Sequence, residues 1–314
     1  MKAIIYKNKT FILSDIAQPK PLNTEVLIKV VATSLNAGDY RLVQLNSGLP
    51  KSGILGNSIA GIVEELGSDV QTWKVGDRVV VDTSNAGFGG LAEYAVAQAN
   101  ELVKVPDTLS LIDASSCPVA STTALQALTL FKHVKQNDKV LIVGASGGVG
   151  TFVIQLAKYF KAHVTAVCST LNVDIARDLG ADRVINYKKD DLLQLKETYD
   201  LIIAVNGAYP LSLYNRLLKP NGTYVMVGGS IKQFIKNLIL CPIYSLGNNK
   251  FKILNSKSNR DDLAKIIQLV SQSKIKPLIS SIVTLDNAID AFNTFQKGHA
   301  KGKIVIQLSK EEIL

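Results

Sequence analysis

The chain has 314 residues, 47% of them hydrophobic and 19% charged, which supports a sizeable core and excludes wholesale disorder. Its formal net charge of +9 leaves three partner classes open: nucleic acid, a membrane surface or an anionic ligand. Cys117, Cys168 and Cys241 are too few for a disulfide framework or a Cys-rich zinc site, no apolar run reaches the ~18 residues of a spanning helix, and the first residues lack a secretory signal, so a reduced, soluble, cytoplasmic protein is expected.

The first third reads as short strands separated by glycine turns. Lys2–Tyr6, Thr10–Leu13, Val26–Thr33, Gly56–Leu66 and Asp77–Asp82 alternate or run apolar and favour β-branched residues. The texture changes near Ser110. Leu111–Lys132 has helical spacing, broken or kinked at Pro118. Strand and helix patterns then alternate: strands at Lys139–Val143, His163–Cys168, Arg183–Ile185, Leu201–Val205, Thr223–Val227 and Phe251–Leu254, helices at Val149–Phe160 and Asn172–Leu179. Alternation of this length predicts a parallel, doubly wound sheet. Arg260–Ser273 reads as one amphipathic helix, and Lys303–Leu308 as a closing strand. The expected division is 1–112, 113–256 and 257–314. The first segment holds 10 Lys and Arg against 11 Asp and Glu, net −1; the second 16 against 9, net +7; the third 9 against 6, net +3. The excess charge thus sits mostly in the middle, and no block of five like charges forms a basic tail.

The most informative stretch is Val143-Gly144-Ala145-Ser146-Gly147-Gly148-Val149-Gly150, a Gly-rich turn between a buried strand and a helix. Glycines there permit φ > 0, close backbone approach to a pyrophosphate and tight helix–strand packing. The surrounding βα units meet the context test for a dinucleotide site. A Gly-Lys-Ser/Thr ending is absent, which argues against nucleoside triphosphate hydrolysis. The end of the second strand chooses the dinucleotide, because a carboxylate there holds the NAD ribose and repels a 2′-phosphate. Here Ser169, Thr170 and Asn172 offer hydroxyl and amide groups, with no carboxylate before Asp174. Together with the basic middle segment this favours NADPH. Lys188 and Lys189, after Tyr187, are the nearest basic candidates. Asn206 and Gly207 follow the fourth strand, where backbone contacts to the nicotinamide half are expected.

At this point fragments along nearly the whole chain carry a resemblance. They are Val31–Arg41 with its Asn36, Asp39 and Tyr40, the glycine turns at Gly56–Val63 and Val75–Val79, Gly89–Tyr94, Thr122-Thr123-Ala124, the glycine loop with Gln155–Lys158, Leu179–Asp182, and Gly298–Val305. In this order and spacing the sequence resembles the zinc-free medium-chain dehydrogenase/reductase superfamily, quinone oxidoreductase group. The resemblance implies an α/β chain: a GroES-like β-rich catalytic domain from both ends, and a Rossmann domain between them. It also implies an active site in the cleft. It adds Thr123 and Lys303 to a cofactor-binding set otherwise made of Gly144, Ala145, Ser146, Gly147, Gly148, Val149, Gly150, Ser169, Thr170, Asn172, Tyr187, Asn206 and Gly207. It offers Tyr40 first, and Asn36 second, as the hydrogen-bond donor to the substrate.

Zinc alcohol dehydrogenases resemble the chain too. Their ligand places match Asn36, Asn57 or Ser58, and Val119 here, none a usual zinc ligand, and His133, His163 and His299 match no ligand spacing. No metal is therefore expected. Without a Lewis acid, hydride passes most easily to acceptors that are already electrophilic, so a quinone or α,β-unsaturated carbonyl is the expected substrate. The competing reading is a non-catalytic NADPH-binding sensor or a nucleic-acid-binding protein. No basic motif interleaved with aromatics supports base stacking, which argues against nucleic acid. Ile231–Leu246 is apolar with two lysines. It reads as a lid or the contact of a homodimer, with a membrane-touching helix as the alternative and any membrane contact peripheral.

Overall fold

The computed structural model describes residues 1–206, 209–296 and 301–309. The chain forms two compact units: Met1–Thr122 with Ser258–Leu314, and Thr123–Lys257. Expected fragments at Gly207 and at Gly298–Ala300 lie outside the described residues.

The first unit opens with β1 (Lys2–Lys7) and β2 (Thr10–Asp15), a hairpin with Lys7 opposite Thr10. Its two loop residues, Asn8 and Lys9, both take positive φ, the backbone that a two-residue hairpin turn requires. Then come β3 (Glu25–Ser34), α1 (Ala37–Leu45), β4 (Ser58–Leu66), β5 (Arg78–Asp82), β6 (Tyr94–Gln98), β7 (Val103–Lys104), α2 (Leu111–Ser115) and α3 (Pro118–Thr129). Pro118 starts α3, where its missing N–H costs no helical hydrogen bond. The break within Leu111–Lys132 is thus a gap between two helices. Helix α1 is an element that the sequence pattern does not predict.

The second unit alternates β8 (Lys139–Val143), α4 (Gly148–Tyr159), β9 (His163–Cys168), α5 (Val173–Asp178), β10 (Arg183–Asn186), β11 (Tyr199–Ala204), α6 (Leu211–Leu217), β12 (Leu218–Met226), α7 (Ile231–Tyr244) and β13 (Lys250–Ile253). Its sheet runs β10-β9-β8-β11-β12-β13, parallel at every pairing. This is the doubly wound order, with helices covering both faces. The continuous apolar strands expected of such a sheet are there: Val140–Val143 and Leu201–Ala204 are all buried.

The chain then returns to the first unit through α8 (Arg260–Ser271), β14 (Ile279–Thr284), α9 (Ala288–Gln296) and β15 (Lys303–Gln307). The Asn259 side chain accepts from Asp262 N at 2.9 Å and starts α8. β15 enters the mixed sheet β14-β15-β3-β4-β5-β7, with β6 also pairing β3. Strand β3 has core on both sides. Val26, Ile28 and Val30 pack with Ile59, Val79, Val81 and Leu102, while Leu35 just beyond it joins Ile4, Leu55, Phe292 and Ile306. The fold is therefore α/β, a GroES-like β-rich unit plus a Rossmann-type parallel sheet. The first unit keeps residues 113–122, ten beyond the expected break, because α2 packs on β3, β4 and β5. Among the described residues no helix is long and apolar enough to cross a membrane.

Candidate active site

The turn between β8 and α4 is built on glycines for distinct reasons. Gly144 sits at φ +86°, and a Cβ there would lie 2.7 Å from Asn206 N. A Cβ on Gly150 would lie 2.4 Å from Gly144 O and 2.7 Å from the Ala145 carbonyl. Both places are closed to any larger residue. Gly147 is different: a Cβ there would meet nothing nearer than Gly144 O at 4.0 Å. Gly147 also begins α4, and no side chain caps that helix end, so the leading N–H groups and the positive end of the helix dipole are left to a ligand. β8 and β11 are neighbours at the reversal of strand order, where doubly wound sheets bind nucleotides.

Beyond β9 the side chains are neutral. Asn172 Nδ2 donates to Ser146 Oγ at 2.9 Å and to Ser169 Oγ at 3.1 Å, which ties the second strand end to the glycine turn. Asn172 Oδ1 is buried and accepts no hydrogen bond. Asn186 Nδ2 donates to Thr170 Oγ1 at 3.0 Å. Asp174 faces Arg177 at 3.1 Å on α5. Thr123 donates to Ser256 Oγ at 2.9 Å. Tyr187 and Asn206 are exposed, and Lys188 Nζ stands 5.5 Å from the Tyr187 ring centre.

The first unit holds a second polar cluster, buried around Asn36 and Lys303 and half-buried at Ser84. Lys303 Nζ donates to Leu35 O at 2.8 Å and to Asn36 Oδ1 at 2.6 Å. Asn36 Nδ2 donates to Asn57 Oδ1 and Ser58 Oγ, both at 2.9 Å, and to Ser34 O at 3.1 Å. Val119 N donates to Ser58 Oγ at 3.4 Å, and Asn57 Nδ2 to Ser84 Oγ at 2.7 Å. Ser84 in turn bonds Asp82. The amide of Asn36 is thus saturated, with no hydrogen left for a substrate. Lys303 lies inside this unit, 2% exposed, and its ammonium is committed to protein oxygens. Tyr40 on α1 is half-buried against the apolar cluster of Leu35 and Leu55.

Asp39, three residues after Asn36, accepts from Asn36 N at 2.9 Å and from Gly56 N at 3.2 Å. Burial dominates and pushes its carboxyl from 3.8 to about 6, although these two bonds and the Lys303 charge pull it down. Burial pushes the Lys303 ammonium down to about 8. For Asp39 the folded value exceeds the unfolded one, so its contribution to stability is present in acid and lost as pH rises from about 4 through about 6. Two pH units correspond to about 3 kcal/mol. We expect the stability of the wild type relative to Asp39→Asn to fall by up to that amount between pH 4 and pH 7, read by urea unfolding. Parallel pH curves for the two proteins would contradict this.

Comparison with known proteins gives this geometry its family. The alcohol dehydrogenase GroES-like domain matches residues 22–107, and the zinc-binding dehydrogenase family matches residues 179–306. The "chloroplast envelope quinone oxidoreductase homolog" of Arabidopsis thaliana is 34% identical over 306 residues, spanning 92% of this chain and 91% of that protein. The solved quinone oxidoreductase of Coxiella burnetii superposes with a TM-score of 0.88 at 32% identity, covering 98% of this chain and 99% of that one. The chain belongs to the medium-chain dehydrogenase/reductase superfamily, in its quinone oxidoreductase group. The human mitochondrial NAD(P)H oxidoreductase RTN4IP1 is a further relative, 32% identical over 98% of this chain and 84% of its own length.

As a medium-chain dehydrogenase/reductase the chain is an oxidoreductase of a nicotinamide cofactor, and the second unit suits that group. The Gly147 opening and the orphaned Asn172 Oδ1 are places a dinucleotide would fill. The first unit does not suit zinc. The structure brings Asn36, Asn57, Ser58 and Val119 together, but as neutral amide and hydroxyl groups that satisfy one another beside a buried ammonium. Such a set lacks the thiolate and imidazole donors that zinc prefers. Burial also pushes the thiols of Cys117, Cys168 and Cys241 up, Cys241 to about 11, away from the ligating thiolate. Among the described residues no group of three His, Cys, Asp or Glu side chains could hold a metal. Sequence reasoning missed Asp82, Ser84 and the buried state of Asp39. The Asn36-x-x-Asp39 spacing was the available signal, since a carboxylate three residues into a helix reaches back to the leading N–H.

Proposed function

We propose that this chain is an NADPH-dependent reductase that passes hydride to a quinone or an α,β-unsaturated carbonyl without a metal. The observation that carries the choice of NADPH is the neutral end of β9, where Ser169, Thr170 and Asn172 stand and the first carboxylate is already paired with Arg177. Nothing there repels a 2′-phosphate. The relatives named quinone oxidoreductase support the acceptor class. When bound, the reduced nicotinamide supplies the hydride. The chain's own part is placement. N–H groups at the start of α4 would hold the pyrophosphate, and the Gly144 turn beside Asn206 would seat the nicotinamide half. Asn172 Oδ1, which no protein group satisfies, would accept from a sugar hydroxyl. With Asn36 saturated, Tyr40 is the hydrogen-bond donor we assign to the acceptor, and Asn36 becomes a residue that holds the buried polar cluster together. The reaction belongs in a reducing compartment such as the cytoplasm; some relatives are named for the chloroplast and the mitochondrion.

We expect NADPH to be oxidised with at least one member of a panel of quinones and enals. The kcat/KM for NADPH should exceed that for NADH by about tenfold or more, a difference of about 1.4 kcal/mol. A Thr170→Asp variant should reverse that preference, because the new carboxylate suits a ribose and repels a phosphate. Failure of every acceptor on the panel would remove the reductase reading. Equal use of both dinucleotides would remove only the NADPH part.

A further inference from the structure

The turn after β5 holds a hydroxyl and a carboxyl that play no part in seating a dinucleotide. Asp82 ends β5 and caps the single 3-10 turn Thr83–Asn85, its Oδ1 accepting from Ser84 N at 3.0 Å. The same oxygen bonds Ser84 Oγ. Ser84 Oγ accepts from Asn57 Nδ2 at 2.7 Å, and Asn57 Oδ1 accepts from Asn36. Asp82 is 7% exposed and stands opposite Ser58 in the ladder of β4 and β5, while Ser84 is half-buried. The carboxyl is therefore the inner end of the pair and the hydroxyl the outer one. Acids crowd Asp82 and no cation answers them. Glu101, close before β7, repels it, and so does Asp39 on α1. Glu101 Oε2 is buried without a hydrogen-bond partner among the described residues. Asp113 lies on α2, the helix packed on β5. Lys104 on β7 is paired with Asp77, and Lys303 donates to Leu35 O and Asn36 Oδ1. Burial first, and then the Glu101 charge, push the Asp82 carboxyl up against the pull of its two Ser84 bonds. An Asp82 that carries a proton donates to Ser84 Oγ. With Asn57 donating to the same oxygen, both its lone pairs are used and its own hydrogen is free for a third group.

We propose that Ser84 is a catalytic residue that gives the acceptor its proton, and that Asp82 is the positioning residue that refills the Ser84 hydroxyl. Hydride transfer adds two electrons and one hydrogen nucleus to the acceptor and leaves an anion: an enolate from an enal, a hydroquinone monoanion from a quinone. The Ser84 O–H bond breaks as a carbon or oxygen of that anion takes the proton. Ser84 then takes the proton of Asp82, so the negative charge ends on the Asp82 carboxylate, and water reprotonates it before the next turnover. The nicotinamide is oxidised, the acceptor is reduced, and nothing else changes oxidation state. Tyr40 keeps its part as the donor that holds an acceptor oxygen, whereas Ser84 surrenders a proton. This relay rests on the reductase reading and deepens it by naming the proton source.

The test compares the wild type with Ser84→Ala, Ser84→Thr and Asp82→Asn on whichever quinone or enal the wild type reduces. Ser84→Ala should lower kcat about a hundredfold with KM within about threefold, and Ser84→Thr, which keeps the hydroxyl, should recover to within about fivefold of the wild type. Asn at position 82 keeps the shape and still donates to Ser84, so a purely structural Asp82 would tolerate it; we expect kcat about a hundredfold lower. Wild-type kcat should fall as pH rises through the raised Asp82 carboxyl, because the acid form is the donor. That fall should vanish in Asp82→Asn and persist in Asp39→Asn. Infrared difference spectroscopy gives a readout free of turnover: wild type minus Asp82→Asn should show a protonated carboxyl band at about pH 5. Thermal melts check that each variant folds, and the infrared band decides even where Ser84→Ala does not. A wild type that reduces no acceptor removes the reductase reading and the relay with it. A working wild type whose Ser84→Ala variant keeps more than about a third of kcat overturns the relay alone, as does a missing carboxyl band.

Discussion

Lys303→Met is expected to destabilise the protein by about 3 kcal/mol and to lower its thermal midpoint by about 10 °C. Methionine keeps the shape of the side chain as far as Cε but carries no donor. Leu35 O and Asn36 Oδ1, both buried, each lose the bond they accept from Nζ. An orphaned buried acceptor costs about 1–3 kcal/mol, and relief from burying the ammonium offsets part of that sum. The damage should spread, since Asn36 also holds Asn57, Ser58 and the carbonyl of Ser34. A double-mutant cycle with Asn36→Ala should therefore be non-additive by more than about 1 kcal/mol. Urea unfolding of the four proteins measures both quantities. A loss below about 0.5 kcal/mol for Lys303→Met would show that the cluster does not depend on its cation.

The second large effect separates two glycines three residues apart. Gly150→Ala pushes a methyl against Gly144 O and the Ala145 carbonyl, which are backbone and cannot swing aside. Helix α4 must move from β8, and a loss of several kcal/mol, with dinucleotide binding weakened more than tenfold, is expected. Gly147→Ala meets no protein atom nearer than 4.0 Å and has φ −79°, which alanine adopts freely. Its stability should stay within about 0.5 kcal/mol of the wild type. Its methyl stands at the helix start where a pyrophosphate approaches, so NADPH binding should still fall about tenfold or more. Fluorescence titration with NADPH and a thermal melt on each variant read the two effects apart. Unchanged binding in Gly147→Ala would place the phosphates elsewhere.

Much of the second unit was legible because its signals are local. Lys139–Val143 is a continuous apolar strand and His163–Cys168 a mostly apolar one, and the observed bounds coincide with the expected ones. The glycine turn is read from the seven residues Gly144–Gly150 and needs no distant partner. The first unit hid more. Helix α1 follows closely on the β-branched strand β3 and has a weak apolar face, so its N-terminal Asn-x-x-Asp pair was the clearest local sign. The polar cluster was illegible for a different reason. Asn36, Asn57, Ser84 and Lys303 come from four distant parts of the chain, and only the sheet pairings of β3 with β4 and β15 bring them into reach. Sequence matching marked Lys303 as a cofactor contact; its burial depends on a register that no spacing encodes.

That register sets a schedule for synthesis. β15 bonds β3 at Ala32–Ser34, yet its residues leave the ribosome about 270 positions later, and Lys303 reaches Leu35 across 268. The second unit, contiguous from Thr123 to Lys257, is complete well before then. It can fold while the first unit still waits with Ala32–Ser34 of β3 short of their β15 partner and the oxygens around Asn36 short of their ammonium. Nascent chains arrested before residue 303 should therefore carry a finished nucleotide fold tethered to an unfinished, chaperone-dependent one.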